Sequence, residues 1–116
     1  MTPETKYKSQ VKRFLDDNNI YHFPYSPGMF GKAGIPDTII CHKGLFIAVE
    51  FKADGGKLAP IQKVKIDEIN REGGIAFTLY PAAFGVFKEL LLKLIHCPVN
   101  SWEFHETREK LIRLGR

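Results

Sequence analysis

Asp37, Glu50 and Lys52 are the residues of this chain whose types and spacing could do chemistry together. They lie in one stretch, Gly-Ile-Pro-Asp-Thr-Ile-Ile-Cys-His-Lys-Gly-Leu-Phe-Ile-Ala-Val-Glu-Phe-Lys, from Gly34 to Lys52. Two carboxylates on one face could hold a cation, and a lysine beside them could act on whatever the cation binds. The question for the sequence is whether anything brings them together.

A hairpin would. Thr38 to Cys41 and Leu45 to Phe51 are short runs rich in β-branched and aromatic residues, with His42-Lys43-Gly44 between them. Gly44 can take the positive φ of a tight turn. If Lys43 and Gly44 form a two-residue loop, His42 faces Leu45, and counting back along each arm brings Asp37 opposite Glu50. Opposite residues share a face with their Cβ atoms roughly 5 Å apart. Lys52, two residues after Glu50, projects to the same face. A different turn would shift the register and separate them. Leu45 to Val49 is unbroken apolar sequence, as in a strand buried on both faces. Glu50 and Lys52 arrive where that run ends, and a buried charge needs a partner or a metal. The bland alternative is a solvated Glu-Lys pair at a strand end.

The flanking elements have their own signals. Pro3 suits the first helical position, with Thr2 as cap, and Tyr7, Val11, Phe14 and Leu15 follow at helical spacing. Lys6, Lys8, Lys12 and Arg13 occupy the rest of that cylinder. Glu4 falls on the apolar stripe, where it either faces the site or favours the helix dipole. Asp17-Asn18-Asn19 ends the helix. Ile20 to Tyr25 alternates, and Pro24 favours an edge strand. The glycine-rich segment Ser26 to Ile35, which contains Lys32, is either a surface connection or a loop that a nucleic-acid backbone can approach closely. It fits neither a P-loop nor a dinucleotide fingerprint.

Beyond the hairpin, Pro60 opens a helix that runs to about Glu72 and is closed by Gly73-Gly74. Gln62, Ile66 and Ile69 share a face, so Gln62 sits at the core-side edge of the first turn. Its partner is a backbone carbonyl, a substrate phosphate or a metal-bound water. Lys57, Lys63 and Lys65 add positive charge at that end and could contact phosphates. Ile75 to Tyr80 reads as another strand, and Ala82 to His96 as a helix with Phe84, Phe87, Leu91 and Leu94 on one side. Val86, Leu90 and Ile95 widen that stripe beyond one core face, which suggests a partner such as a second copy. Asn100 is the expected cap of a last helix, with Glu103 at the capping-box position and Trp102, Phe104, Leu111 and Leu114 to be docked.

The chain has 116 residues, one domain's worth, with the apolar and charged content of a globular protein. A formal charge of +4 makes nucleic acid the first partner to consider. No apolar run reaches the ~18 residues of a membrane span, and no signal-peptide core opens the chain. Cys41, in an expected buried strand, and Cys97 make no disulfide framework. The expected setting is a reducing, intracellular one, the cytoplasm. The four histidines have no zinc spacing beside either cysteine.

The order helix, three strands, helix, strand, with Pro-Asp and then Glu-x-Lys on a hairpin, resembles the PD-(D/E)xK nuclease fold. This is an α/β, restriction-endonuclease-like core (α-β-β-β-α-β) whose mixed sheet is flanked by helices. More narrowly, Gly34-Ile35-Pro36-Asp37, Val49-Glu50-Phe51-Lys52 and Gly55-Gly56-Lys57 followed by Gln62 resemble the virus-type replication-repair nuclease family (VRR-NUC). The resemblance covers roughly Thr2 to Tyr80, and the C-terminal helices extend beyond it. It implies a single nuclease domain, a metal-dependent phosphodiesterase that acts on branched DNA such as four-way junctions as a homodimer. A flap endonuclease or nickase that needs a replication or repair partner is the alternative. So is a DNA-binding module of the same fold, or a domain whose basic surface serves protein contacts. Under the resemblance Asp37, Glu50 and the Phe51 backbone carbonyl are hard oxygen ligands for Mg²⁺ or Mn²⁺. Lys52 orients the attacking water or stabilises developing charge. Glu4 is an outer-shell or second-metal ligand, and Gln62 holds the water or the scissile phosphate. Lys32, Lys57, Lys63 and Lys65 are the candidate DNA contacts.

Overall fold

The computed structural model describes residues 3–26 and 31–115, without the side chains of residues 3 and 4. Thr2 and the centre of the glycine-rich segment lie outside the described residues. Helix α1 (Pro3–Asp17) leads through Asn19, in the left-handed region at φ 56°, into strand β1 (Tyr21–Pro24). Strands β2 (Thr38–His42) and β3 (Leu45–Phe51) form the expected hairpin. Helix α2 (Pro60–Arg71) then crosses over to strand β4 (Ile75–Leu79). A 3₁₀ turn (Pro81–Ala83) precedes helix α3 (Phe84–His96), and helix α4 (Trp102–Ile112) follows.

The sheet is mixed, with strand order β1-β2-β3-β4. The first two pairings are antiparallel and the last is parallel, as a β-α-β crossover through α2 requires. The hairpin turn fixes everything downstream. Lys43 and Gly44 both take positive φ, 48° and 87°, as a type I′ turn demands. His42 therefore pairs with Leu45, and Thr38 with Val49. The expected register holds.

Strand alternation sorts the core into two layers. Ile40, Ile47, Val49, Phe51, Ile75, Phe77 and Leu79 face one side and are covered by Tyr7, Val11 and Leu15 of α1, Phe87, Leu91 and Leu94 of α3, and Phe104 and Leu111 of α4. Ile39, Ala48 and Ala76 face the other side and meet Ile66 and Ile69 of α2. The second layer is thin, and Tyr21, Phe23 and Phe46 on this side stay exposed.

Both sheet edges are closed. Pro24, in edge strand β1, has no N–H to offer outward. On β4 the Asn70 side chain takes the place of a neighbouring strand. It donates to the Ala76 carbonyl at 2.9 Å and accepts the Ala76 N–H at 2.7 Å. Gly115 packs so tightly on the Thr78 backbone that a Cβ there would lie 2.9 Å from the Thr78 carbonyl oxygen. Arg108 of α4 ties the same region down, donating to the carbonyls of Asn70 and Gly74 at 3.0 Å each.

Four local expectations are corrected. Burial of β3 on both faces begins at Ile47 rather than Leu45: Phe46 borders an open pocket beside Lys65, Glu68 and Ile69 of α2 and stays 45% exposed. The Cys41 side chain, across from Phe46, is exposed as well, and both cysteines are free thiols. The cap of α4 is Ser101, whose hydroxyl accepts the Phe104 N–H at 3.1 Å. Asn100 instead takes the left-handed conformation one residue earlier, at φ 66°, which moves Glu103 out of capping-box position. Trp102 does not dock; it is 77% exposed. Among the described residues no helix is long and apolar enough to cross a membrane.

Candidate metal centre at the end of the sheet

The register that pairs Thr38 with Val49 continues one step to bring Asp37 beside Glu50. This is the carboxyl end of the parallel pair β3 and β4, where open α/β sheets leave a crevice for ligands. Gly34 helps to put Asp37 there. At φ 81° it passes so close to α2 that a Cβ would lie 2.8 Å from the carbonyl oxygen of Ile61, so only glycine lets the Gly-Ile-Pro-Asp segment lie against the first turn of that helix.

Backbone chemistry fixes the Asp37 carboxylate. Tyr25 N–H donates to the Asp37 carbonyl at 2.8 Å, so the peptide groups of Asp37 point toward β1 and those of Pro36 toward β3. Phe51, the next residue facing β2, donates its N–H to Asp37 Oδ2 at 2.9 Å. Its carbonyl projects to the same side, where the residue in register is Pro36, which has no N–H to give. The Pro-Asp pair thus occupies the Phe51 donor with a carboxylate and withholds a ladder bond from the Phe51 acceptor.

Glu50 is buried, only 3% exposed. Gln62 Nε2 donates to its Oε2 at 3.3 Å, and Lys52 Nζ lies 3.8 Å from the same oxygen. Burial pushes the Glu50 carboxyl up to about 8, and the neighbouring Asp37 charge and hydrogen bond push in the same direction. Lys52 and Lys8 act against them. Glu50 is therefore held toward its protonated form near neutral pH. Gln62 is held for its task because its Oε1 accepts the Ala59 N–H at 2.8 Å, the reciprocal arm of a capping box at the start of α2. Its partners are thus a backbone N–H and Glu50, not the backbone carbonyl considered from sequence.

The other candidates separate. The Glu4 side chain lies outside the described residues; its backbone is in the first turn of α1. Lys57 and Lys63 are exposed, whereas Lys65 is half-buried with Nζ 3.5 Å from Glu68 Oε2, so its charge is partly neutralised. Lys32 is exposed and its backbone N–H donates to the Tyr25 hydroxyl at 3.0 Å. Two residues not expected at the site belong to it. Lys8 reaches over the Phe51 ring, 5.9 Å from its centroid, and its charge is felt at Glu50. It is four residues after Glu4 and so on the same helix face, which is the sequence signal that marks it. Tyr80, just past β4, donates its hydroxyl to the Gly56 carbonyl at 2.7 Å and pins the loop that follows Lys52.

Among the described residues no three His, Cys, Asp or Glu side chains converge as a metal site. Two carboxylates do, beside an available carbonyl. That donor set fits a hard divalent cation: Mg²⁺ is commonly held by one or two carboxylates and completed by water and substrate phosphate. Two of the four histidines are engaged elsewhere, His22 with Asp16 at 2.7 Å and His96 with the Leu92 carbonyl at 2.7 Å. No family model and no curated protein matches this chain, so its likeness to known nucleases rests on the residues themselves.

Proposed function

We propose that the protein is a divalent-metal-dependent nuclease of PD-(D/E)xK type, hydrolysing phosphodiester bonds in branched DNA and working as a homodimer. The observation that carries this reading is a buried Glu50 beside Asp37, with Lys52 Nζ 3.8 Å and Gln62 Nε2 3.3 Å from its Oε2. Two adjoining carboxylates, one of them buried, cost folding energy when both are ionised, and a bound cation relieves that cost.

Asp37, Glu50 and the Phe51 carbonyl would hold the ion. A bound Mg²⁺ or Mn²⁺ lowers the pKa of water and stabilises charge on a phosphate under in-line attack. Lys52 is held between Glu50 and solvent by its own backbone, whose N–H donates to the Leu79 carbonyl at 3.2 Å. From there its ammonium can orient the attacking oxygen or meet charge developing on the phosphate. Gln62, locked by the α2 cap, presents its amide to the same point. Exposed apolar residues of the C-terminal part, Val86, Val99 and Trp102, supply surface for a second copy.

The test is cleavage of labelled four-way junction, flap and linear duplex with Mg²⁺, with Mn²⁺ and with chelator, alongside light scattering at micromolar concentration. Paired nicks in the junction that need metal, from a dimer, are the expected result. No cutting of any substrate with either metal would overturn the enzymatic reading, and a strict monomer would remove the paired-nick mechanism.

A further inference from the structure

Next to the carboxylate pair, on the side of the sheet that α1 covers, lies a cavity of about 330 Å³. Thr5, Lys8, Ser9 and Lys12 of α1 form one wall, and Tyr25 and Asp37 close the other. Val11 and Leu15 contribute an apolar floor. The four α1 residues follow the i, i+3, i+4, i+7 pattern and make a continuous polar stripe. Two cations stand one helical turn apart on it, with a hydroxyl in the turn beside each. Among the described residues, Asp37 lines the groove at the metal-centre end, and Asp16, beyond Lys12, is bonded to His22. Lys8 and Lys12 thus border the groove along α1, and Asp37 borders it at the end where a cation would sit.

We propose that this α1 groove binds the sugar-phosphate backbone of a single polynucleotide strand, with Lys8 and Lys12 contacting successive phosphates beside the one that reaches Asp37 and Glu50. This inference rests on the nuclease reading and deepens it, because it places the strand along α1 rather than along the α2 lysines. Lys8 stands at the junction: it borders the groove, covers the Phe51 ring and acts electrostatically on Glu50. The Thr5 and Ser9 hydroxyls on the same stripe suit phosphate oxygens.

The experiment measures binding of a fluorescent single-stranded oligonucleotide by anisotropy over a range of salt, in chelator, so that no turnover is needed. Each phosphate contact contributes about 0.7 to the slope of log affinity against log salt for single strands. The double variant Lys8→Gln/Lys12→Gln is expected to lower that slope by about 1.4 and to weaken binding more than tenfold at low salt. Lys8→Arg/Lys12→Arg should restore both. Lys57→Gln/Lys63→Gln, on the other side of the site, should leave the slope within about 0.3 of the parent. Thermal midpoints matching the parent would exclude loss of fold as the cause. An unchanged slope in the α1 variant, a loss carried by the α2 lysines, or a parent protein that binds no oligonucleotide would each overturn the proposal. Cleavage assays on the same proteins separate the two readings. Metal-dependent cutting with binding indifferent to Lys8 and Lys12 removes the groove and keeps the nuclease. Lysine-dependent binding without cutting does the reverse.

Discussion

Titration of Glu50 should make the metal-free protein lose stability as pH rises, the opposite of an ordinary surface carboxylate. In the unfolded chain this group titrates at its usual value, 4.5, whereas in the folded protein it is raised to about 8. Between those values the folded state binds the extra proton, so stability is fully present below about 4.5 and drains away until about 8. At about 1.4 kcal/mol per pH unit the interval corresponds to roughly 5 kcal/mol, a large share of the ~5–15 kcal/mol that holds a domain folded. Glu50→Gln removes the titration. Its amide can still meet Asp37, so the variant should match the parent near pH 5 and exceed it by several kcal/mol at pH 9. The assay is urea unfolding in chelator from pH 5 to 9, reading the difference between the two proteins so that other titrating groups cancel. Saturating Mn²⁺ should erase much of the difference by replacing the proton. A parent-to-variant difference that stays flat across this range would refute the reasoning, and with it the claim that Glu50 and Asp37 are forced together.

Asp37→Ala should abolish cleavage while oligonucleotide affinity in chelator survives; a mutant that cuts at the parental rate would falsify the metal site. Lys52→Ala should lose turnover yet keep Mn²⁺ binding by calorimetry, and loss of the metal instead would reassign this lysine to structure. Asn70→Ala strips both bonds from the Ala76 backbone and should lower stability by about 2 kcal/mol, read as a shift in the urea midpoint. An unchanged midpoint would show that this edge needs no cap.

The hairpin register was legible because its cause is local. Two residues able to take positive φ set the turn, the turn sets the pairing, and Asp37 meets Glu50 by counting. Gln62 was legible for a related reason, since helical spacing from Ile66 and Ile69 put it on the core side. Lys8 was not, because whether it faces solvent or the Phe51 ring depends on the angle at which α1 docks, and Tyr7 and Val11 alone leave that angle open. The α4 cap was misplaced by one residue because Asn100 and Ser101 both have capping side chains. Asn suits the left-handed position better, which leaves the serine to cap. Trp102 looked like core by composition, but a helix of this length has a buried face only where Phe104, Thr107 and Leu111 align.

The closed sheet edges restrict how copies of this chain can meet. A strand adds to a sheet through the peptide groups that point outward, which on β4 are those of Ala76 and Thr78 and on β1 those of His22 and Pro24. Asn70 and Gly115 cover the first two, and Pro24 breaks the second pair. Intermolecular strand addition is therefore blocked along β4 and interrupted by Pro24 on β1, which disfavours edge-to-edge aggregation. A symmetric assembly is then built through side-chain surfaces, such as those that carry Val86, Val99 and Trp102, which can be altered by substitution without disturbing the strands that align Asp37 with Glu50.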